Sequence, residues 1–362
     1  MRALGDRDEV ALDTEGDSLH HYPERLALIQ LADGAGQAWL VDPLALVDLS
    51  PLAAVLADRR HLLVVHAGDN DLVQLKRRYA FTFARIFDTS VAGRFLGVQT
   101  LGLEVLLERY LGVTLPPSRQ KDDWSERPLT QAQEAYAAAD VEHLIALKDV
   151  LVEELRRAGR LTWVEEECAA LAAEPAEARA PDPDAWAGVK GARTLAPLGL
   201  AALRELHALR EELARAADRP PFKIVGDATL LALAGALPAS AEALAAIAGC
   251  TPRVISRWGG AILAALERGR ALPAERLPVL PRNPRPNVPA AVRGRIEVLR
   301  QWRAGASPKL ELEPGVVLPN RLIRAVAEAA PRDLEALAAV PGLQRWRAET
   351  FGRELLAALA GG

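Results

Sequence analysis

Apolar residues recur with two different periods in the first part of the chain, and the two periods predict different elements. Short apolar runs at residues 10–15, 26–31, 38–42 and 62–66 have the length of strands. Helical spacing follows at residues 51–56, from residue 71 onward, at 101–110 and from 133 to about 171. Strands that alternate with helices in this order predict a mixed α/β sheet flanked by helices.

Turn and cap signals mark where several of these elements begin or end. Asp33-Gly34 separates two strands and is typical of a tight turn. Thr130 followed by Gln133 fits a capping box, which predicts a helix that starts directly after Thr130. Asp88 opens the sequence Asp-Thr-Ser after an apolar run, and we expect it to cap a helix rather than bind a metal.

The rest of the chain is predicted to be helical, in two segments set apart by linkers. The first 172 residues form one domain, and residues 173–192 have the Pro- and Ala-rich composition of a linker. A helical segment at 193–270 is followed by a proline-rich linker at 271–289 and a second helical segment at 290–362.

The two helical segments are related to each other. When the sequence is moved by 93 residues, Gly249 falls on Gly342 and Gly259 falls on Gly352, with no gap between the pairs. Glycines at a fixed offset rarely coincide by chance, so we predict a duplicated helical domain rather than a solenoid, whose repeats are shorter. The tryptophans of these segments are expected to anchor their cores.

Composition and cysteine content narrow the class of protein. Half of the residues are hydrophobic and a quarter are charged, as in ordinary globular domains. No apolar run reaches the ~18 residues that a membrane span needs, and the N-terminus lacks the apolar segment of a signal peptide. Cys168 and Cys250 lie far apart in sequence, so we expect a reduced, cytoplasmic protein with no membrane partner.

The small net charge of −4 hides an uneven distribution. Residues 185–362 contain 25 Lys and Arg against 16 Asp and Glu, whereas the preceding residues contain 19 and 32. An acidic first half can gather metal ions and a basic second half can attract a polyanion, although either half can also be a solvated surface. The asymmetry favours a nucleic-acid partner.

The first strand carries a pair of acids, Asp13 and Glu15. Side chains two residues apart on a strand point to the same face, so these carboxylates lie side by side. Neighbouring acids repel each other, and a hard divalent cation such as Mg²⁺ or Mn²⁺ would relieve that repulsion. The alternative is an exposed strand end with two solvated acids.

Three further residues extend the acidic set. Asp71 follows a strand-to-helix turn, and Tyr136 and Asp140 share one helix face because they are four residues apart. Four acids in one place can hold two divalent ions about 3.5–4 Å apart, which is a suitable arrangement for hydrolysing a phosphodiester. Tyr136, whose unperturbed pKa of ~10 makes it a poor base, would position the attacking water or the phosphate. Asp69 could compete with Asp71, but we expect it to cap the turn, and we expect His66 to be a core or supporting residue.

Three short motifs in this acidic set resemble a known family. Residues 13–15 (Asp-Thr-Glu), 66–71 (His-Ala-Gly-Asp-Asn-Asp) and 136–140 (Tyr-Ala-Ala-Ala-Asp) resemble the exonuclease motifs of the DEDD superfamily in its tyrosine-bearing branch. Residues 23–30 and 123–129 match the sequence that connects these motifs in that branch. The duplicated helical segments resemble two HRDC domains, and this domain order is the layout of the bacterial ribonuclease D family.

The resemblance implies both a fold and an activity. The fold would be an α/β ribonuclease H-like exonuclease domain followed by two all-α HRDC-like domains. The activity would be that of a 3′–5′ exoribonuclease, which trims tRNA precursors and other structured RNAs with two divalent ions and releases nucleoside 5′-monophosphates. The family's metal-binding and catalytic carboxylates map onto Asp13, Glu15, Asp71 and Asp140, and its catalytic tyrosine maps onto Tyr136.

Other parts of the chain have less specific counterparts in the family. Lys121 and Trp124 occupy the positions of a lysine and tryptophan loop that is expected to border the substrate groove. Family members usually have a short strand and helix before the Asp-x-Glu strand, where this chain has only twelve residues.

Basic residues at the start of the second helical segment are the predicted contacts to RNA phosphates. These residues are Arg293, Arg295, Arg300 and Arg303. We therefore expect a monomer that acts on RNA. The alternatives are a 3′–5′ exonuclease that uses the same site on DNA and a non-catalytic nucleic-acid-binding protein, and the presence of all five motif residues argues against the second alternative.

Overall fold

The computed structural model describes residues 2–176, 182–280 and 288–361 and divides the chain into two compact units. One unit holds residues 1–15, 26–177 and 286–362, and the other holds residues 16–25 and 178–285. The second predicted helical domain thus belongs to the same unit as the predicted α/β domain. Among the described residues, no helix combines the length and apolar character needed to cross a membrane.

Five strands form one mixed sheet in the order β3-β2-β1-β4-β5. Their bounds are β1 (Glu9–Gly16), β2 (Leu26–Ala32), β3 (Ala38–Val41), β4 (Leu62–Val65) and β5 (Ile86–Asp88). Strand β1 runs parallel to β4, with Val10 opposite Leu63, and β4 runs parallel to β5. Strands β2 and β3 are antiparallel. The predicted mixed α/β sheet is confirmed.

Eight helices accompany the sheet in the described part of this region. They are α1 (Arg2–Gly5), α2 (Ser50–Ala57), α3 (Asp69–Tyr79), α4 (Thr89–Phe95), α5 (Leu103–Leu111), α6 (Gln131–Glu142), α7 (Leu144–Arg157) and α8 (Leu161–Ala173). Helix α6 packs against β2 and β3, and α8 packs against β5. Every residue of β2 is buried, so the sheet is covered on both faces.

Cap and turn residues predicted some helix ends correctly, and other helix ends differ from the prediction. The capping box is confirmed, since the Gln133 backbone N–H donates to Thr130 Oγ1 over 3.2 Å and the Thr130 N–H donates to the Gln133 side chain over 3.0 Å. The long helix predicted from residue 133 is instead three helices, because the chain breaks at His143 and again at Gly159, which has φ +66°. Helix α3 begins at Asp69, two residues earlier than predicted, because Gly68 occupies its cap position.

The two helical repeats have the same five helices. In the first repeat these are α9 (Pro197–Ala217), α10 (Pro221–Ile224), α11 (Asp227–Ala236), α12 (Ala241–Ala245) and α13 (Pro252–Arg270). In the second they are α14 (Ala290–Leu310), α15 (Pro314–Val317), α16 (Asn320–Ala329), α17 (Leu334–Ala338) and α18 (Arg345–Gly361). Each helix begins 93 residues after its counterpart, which confirms the duplication. Short 3₁₀ helices lie at Ala185–Gly188, Ala192–Thr194 and Ala274–Arg276.

Equivalent side chains make equivalent contacts in the two repeats. The guanidinium of Arg210 donates to a backbone carbonyl 15 residues later and to a side chain 17 residues later. Arg303 makes the same two contacts at the same separations. Gly249 and Gly342 both have positive φ, +88° and +77°, a conformation that favours glycine.

The second repeat shares one hydrophobic core with the α/β domain. Leu299 and Phe351 of the repeat belong to the same buried cluster as Leu151 and Cys168. The indole of Trp346 stacks on Trp163 of α8, with ring centroids 4.5 Å apart.

Polar contacts also join α18 of the second repeat to α8 of the α/β domain. The Trp346 ring nitrogen donates to Glu167 over 3.0 Å, and Arg347, which is 2% exposed, forms an ion pair with the same carboxylate. The start of α18 is therefore fixed to α8 by stacking, hydrogen bonds and charge.

Candidate active site

Asp13 and Glu15 lie near the end of β1, the central strand of the sheet. Because β1 and β4 are parallel, their carboxyl ends meet at the same edge. The chain leaving β4 turns at residues 66–68 and enters α3, whose first turn carries Asp71. The Thr14 hydroxyl, between the two acids of β1, donates a hydrogen bond to Asp71. The sheet topology therefore brings the first two motifs together.

Helix α6 supplies the third motif. It lies against β2 and β3 with Ala137 fully buried, and the small side chain permits this close packing. Tyr136 and Asp140 are one helical turn apart, as predicted, and both face a cavity of about 900 Å³. Asp13, Glu15 and Asp71 line the same cavity.

The carboxylates form a tight cluster. One oxygen from each of Asp13, Glu15 and Asp140 lies within 4.8 Å of the others. Glu15 and Asp140 are each 8% exposed, so little water screens them. No lysine or arginine is found among the described residues that line the cavity. Within the described part of the chain, the cavity lining therefore offers the cluster no lysine or arginine that would offset its charge.

Burial raises the pKa of every carboxyl group in the cluster, and repulsion within the cluster adds to this rise for Asp13 and Glu15. Loss of hydration and the nearby charges of Asp71 and Asp140 hold the pKa of Asp13 well above its usual range. The same causes raise the pKa of Glu15 to about 8. Burial raises the pKa of Asp71 and of Asp140 to about 6.

These properties fit divalent cations. The donor set consists of carboxylate oxygens, which Mg²⁺ and Mn²⁺ prefer. A bound cation would remove both the repulsion and the protons that the raised pKa values indicate. The four carboxylates that the sequence predicts as metal ligands are therefore the ones whose raised pKa values a bound cation would reverse.

Tyr136 is held as a hydrogen-bond donor. Its hydroxyl donates to Asp140 and accepts from Ser118. Burial and the charges of Asp140 and Glu15 raise its pKa far above the ordinary value, so the phenol stays protonated at neutral pH. Tyr136 can therefore orient a ligand but cannot act as a general base.

The two loop residues expected at the groove lie outside the cavity lining. Trp124 is fully buried, with its ring centroid 6.0 Å from that of Tyr136, so it supports the Tyr136 ring from behind. This burial contradicts the expectation that its indole borders the groove. Lys121 is exposed, and its neighbour Gln120 lines the cavity instead.

The four predicted phosphate-binding arginines divide into two pairs on α14. Arg293 and Arg300 are exposed, and Arg293 also donates to the carbonyl of Val288, just before α14, over 3.1 Å. Arg295 donates to the carbonyl of Ala327 over 2.6 Å, and Arg303 donates to that of Leu318 over 2.8 Å. The second pair is engaged in holding helix ends within the repeat.

Several cavity residues were not predicted. Glu104 and Glu108 of α5 extend the acidic surface, and His66 lines the cavity with its Nδ1 2.9 Å from Thr89 Oγ1. The only sequence signal for the two glutamates was their four-residue spacing, which is also common on exposed helices. Ser118 lies in a loop without periodicity, so nothing pointed to its contact with Tyr136.

Two known protein families match separate parts of the chain. The 3′–5′ exonuclease family matches residues 1–156. The HRDC domain family matches residues 199–266 and 293–359.

Full-length relatives are similar over most of the chain. Ribonuclease D of Pseudomonas paraeruginosa is 33% identical over 360 residues, which is 97% of this chain and 92% of that protein. Ribonuclease D of Escherichia coli is 35% identical over 270 residues, which is 74% of this chain and 71% of that protein.

Solved structures share the fold. The crystal structure of E. coli RNase D, described as an exoribonuclease involved in structured RNA processing, superposes with a TM-score of 0.69 at 29% identity. The match covers 99% of this chain and 95% of that one. A protein from Bifidobacterium adolescentis has a TM-score of 0.82 at 23% identity, covering 99% and 93% of the two chains, and shows the fold alone.

Proposed function

The chain belongs to the ribonuclease D family and is a 3′–5′ exoribonuclease, and we propose that its acidic cluster is a catalytic centre for two divalent ions. The ions would be Mg²⁺ or Mn²⁺, and their ligands would be Asp13, Glu15, Asp71 and Asp140. The observation that carries this proposal is the convergence of these carboxylates in one cavity, with three of them within 4.8 Å of one another and no lining cation among the described residues.

The ligands and Tyr136 would have separate roles. Divalent ions held by the four carboxylates would supply a hydroxide nucleophile and stabilise the charge on the leaving 3′ oxygen. Tyr136, protonated and lining the cavity beside Asp140, would pass its one hydrogen bond from that carboxylate to the attacking water or the scissile phosphate once Asp140 binds a cation. Trp124 and Ser118 would keep the phenol in place.

The lining of the cavity suits the terminal nucleotide of a strand. Apolar side chains line it beside the carboxylates, namely those of Leu101, Leu103, Leu115, Pro116 and Leu144. We propose that this apolar wall holds the 3′-terminal base and sugar while the acidic wall binds the metal ions and phosphate. The products would be nucleoside 5′-monophosphates.

The natural substrates would be tRNA precursors and other structured RNAs. Support comes from the basic second half of the chain and from the E. coli relative, which acts in structured RNA processing. We propose that exposed arginines of the helical repeats, including Arg293 and Arg300, contact phosphates of the folded RNA body.

A nuclease assay with an active-site variant tests the proposal. Wild-type protein and Asp140→Asn are incubated with 5′-labelled RNA and with DNA of the same sequence, in Mg²⁺, in Mn²⁺ and in chelator. We expect shortening of RNA from its 3′ end by the wild type only with metal, and a loss of about 10³-fold or more in Asp140→Asn. Asp333→Asn, which changes a helix cap in the second repeat, is the matched control and should be fully active.

Two results would count against the proposal. Wild-type rates in Asp140→Asn would remove that residue from the metal site. Equal or faster degradation of DNA would favour the DNA exonuclease that the sequence left open.

A further inference from the structure

Asp88 is a buried carboxylate that lies outside the acidic cluster. It is 1% exposed, ends β5 and caps α4. Its Oδ1 accepts hydrogen bonds from the backbone N–H groups of Ser90 (2.8 Å) and Val91 (3.2 Å) and from the Ser90 hydroxyl (2.7 Å). These contacts confirm the helix-capping role that the sequence predicted.

The same carboxylate also binds the turn that follows β4. Oδ1 accepts from the Ala67 N–H over 3.1 Å, and Oδ2 accepts from the Gly68 N–H over 3.0 Å. Ala67 has φ +50°, which residues other than glycine rarely adopt. A Cβ on Gly68 would lie 2.8 Å from that of Val65, so the turn is also tightly packed. Such a backbone persists where its surroundings hold it.

This turn decides where Asp71 lies. Gly68 is the cap of α3, and Asp71 follows three residues later in the first helical turn, facing the cavity. A metal ligand must be held to within about 0.5 Å of its working position by the residues behind it. Movement of the turn would carry Asp71 away from Asp13.

Asp88 is itself fixed by its neighbours. Its backbone N–H donates to the sulfur of Cys168 on α8 over 3.3 Å. The next residue, Thr89, donates through its hydroxyl to the carbonyl of Val65 over 3.1 Å. The carboxylate therefore has a fixed backbone from which to hold the turn.

We propose that Asp88 is a positioning residue for the metal centre, which acts through the turn at residues 66–68 to hold Asp71 in place. It is absent from the cavity lining and acts only through Asp71. This inference rests on the metal-binding role proposed above for Asp71.

The substitution Asp88→Ser separates the two tasks of the carboxylate. Serine is as good a helix cap as aspartate, so α4 should remain. Its single oxygen cannot serve the helix and both N–H groups of the turn. We expect the full-length variant to bind Mn²⁺, titrated alone by calorimetry, about 10- to 100-fold more weakly than the wild type.

Kinetics distinguish this effect from a general loss of stability. At limiting Mn²⁺ the variant should turn over a short RNA more slowly with an unchanged KM, and saturating Mn²⁺ should restore most of the rate. Asp333→Ser is the matched control because Asp333 caps α17 through the Ala336 N–H (2.8 Å), and its Mn²⁺ affinity should equal that of the wild type. Wild-type Mn²⁺ affinity in Asp88→Ser would overturn the inference.

Variants of Asp71 distinguish two outcomes: that Asp88 does not position Asp71, and that Asp71 is not a metal ligand. Asp71→Asn should weaken Mn²⁺ binding, and adding Asp88→Ser should then weaken it little further. Unchanged Mn²⁺ affinity in Asp71→Asn would overturn the ligand assignment itself, whereas additive losses would overturn only the positioning role. If Asp88→Ser does not fold, Asp88→Asn takes its place, because it keeps one acceptor oxygen and unpairs the Gly68 N–H. Weaker Mn²⁺ binding by Asp88→Asn would support the positioning role, and wild-type affinity would overturn it.

Discussion

The two helical repeats have the same helices but differ at the start of their last helix. In the first repeat the second and third residues of α13 are Arg253, which is exposed, and Val254. The equivalent residues of α18 are Trp346 and Arg347, each 2% exposed and packed against α8. The internal arginine contacts of the two repeats are equivalent. The repeat sequence therefore specifies its own helices, whereas a few residues at one helix start determine what the repeat packs against.

The functional consequence concerns the catalytic domain. The second repeat contributes to the core that also contains Cys168, the residue behind Asp88. The core of the first repeat is made of its own residues together with Trp186, Val189 and Ala192 of the segment before it, and Tyr22 packs against it. We infer that the second repeat is part of the structural support of the active site as well as a basic surface.

The largest expected difference comes from removing Trp346. Trp346→Ala deletes a buried ring and should lower the free energy of unfolding by about 3–5 kcal/mol. The matched change in the first repeat, Arg253→Ala, removes an exposed side chain and should alter the free energy of unfolding by about 0.5 kcal/mol or less. Urea denaturation of both variants, followed by residual nuclease activity, measures the difference. The same midpoint for both would mean that the shared core does not stabilise the catalytic domain.

Smaller effects on RNA binding and on stability are expected from replacing an exposed arginine of α14 and an arginine of α14 that donates to a backbone carbonyl. Arg300→Ala should weaken binding to a structured RNA a few-fold and reduce the slope of log affinity against log salt by roughly 0.7–0.9, because one phosphate contact is lost. Arg303→Ala should instead lower stability by about 1–3 kcal/mol, since it leaves the Leu318 carbonyl without its donor.

The first repeat provides the control for this pair. Arg210→Ala should destabilise in the same way as Arg303→Ala, because it breaks the equivalent contacts. Binding titrations at several salt concentrations, run beside thermal unfolding, test all three variants. A reduced salt slope with unchanged stability in Arg303→Ala would assign that residue to the RNA surface.

Sequence reasoning was most successful where one periodicity or one motif determined the result. The alternation along β1 placed Asp13 and Glu15 on one face, and the four-residue spacing placed Tyr136 beside Asp140. The fixed offset of 93 residues predicted the duplication. It also aligned Arg303 with Arg210, so a structural role for Arg303 could have been inferred from the sequence.

Other features depend on long-range packing that no local pattern encodes. Trp124 lies in a charged loop and is predicted to border the substrate groove, yet it is buried behind Tyr136 because the loop folds back onto α6. Glu104 and Glu108 resemble ordinary surface acids until α5 is placed beside the cavity. Trp346 was expected in the core of its own repeat, and only the tertiary structure shows that it stacks on Trp163.

We propose that the acidic cluster binds divalent cations, and the pH dependence of metal-free stability tests this proposal most directly. Burial and repulsion raise the pKa of Glu15 from its ordinary value of 4.5 to about 8, so the folded state binds this proton more tightly than the unfolded chain does. Stability from this source is present below about pH 4.5 and is lost as the pH rises to about 8.

Scanning calorimetry of wild type and Glu15→Gln in chelator and in Mg²⁺, between pH 5 and pH 8, is the measurement. We expect the metal-free wild type to melt several degrees lower at pH 8 than at pH 6, with Mg²⁺ restoring the loss, and Glu15→Gln to show a smaller decrease and a weaker response to Mg²⁺. A metal-free melting temperature that stays constant or rises from pH 6 to pH 8, with no response to Mg²⁺, would contradict the account.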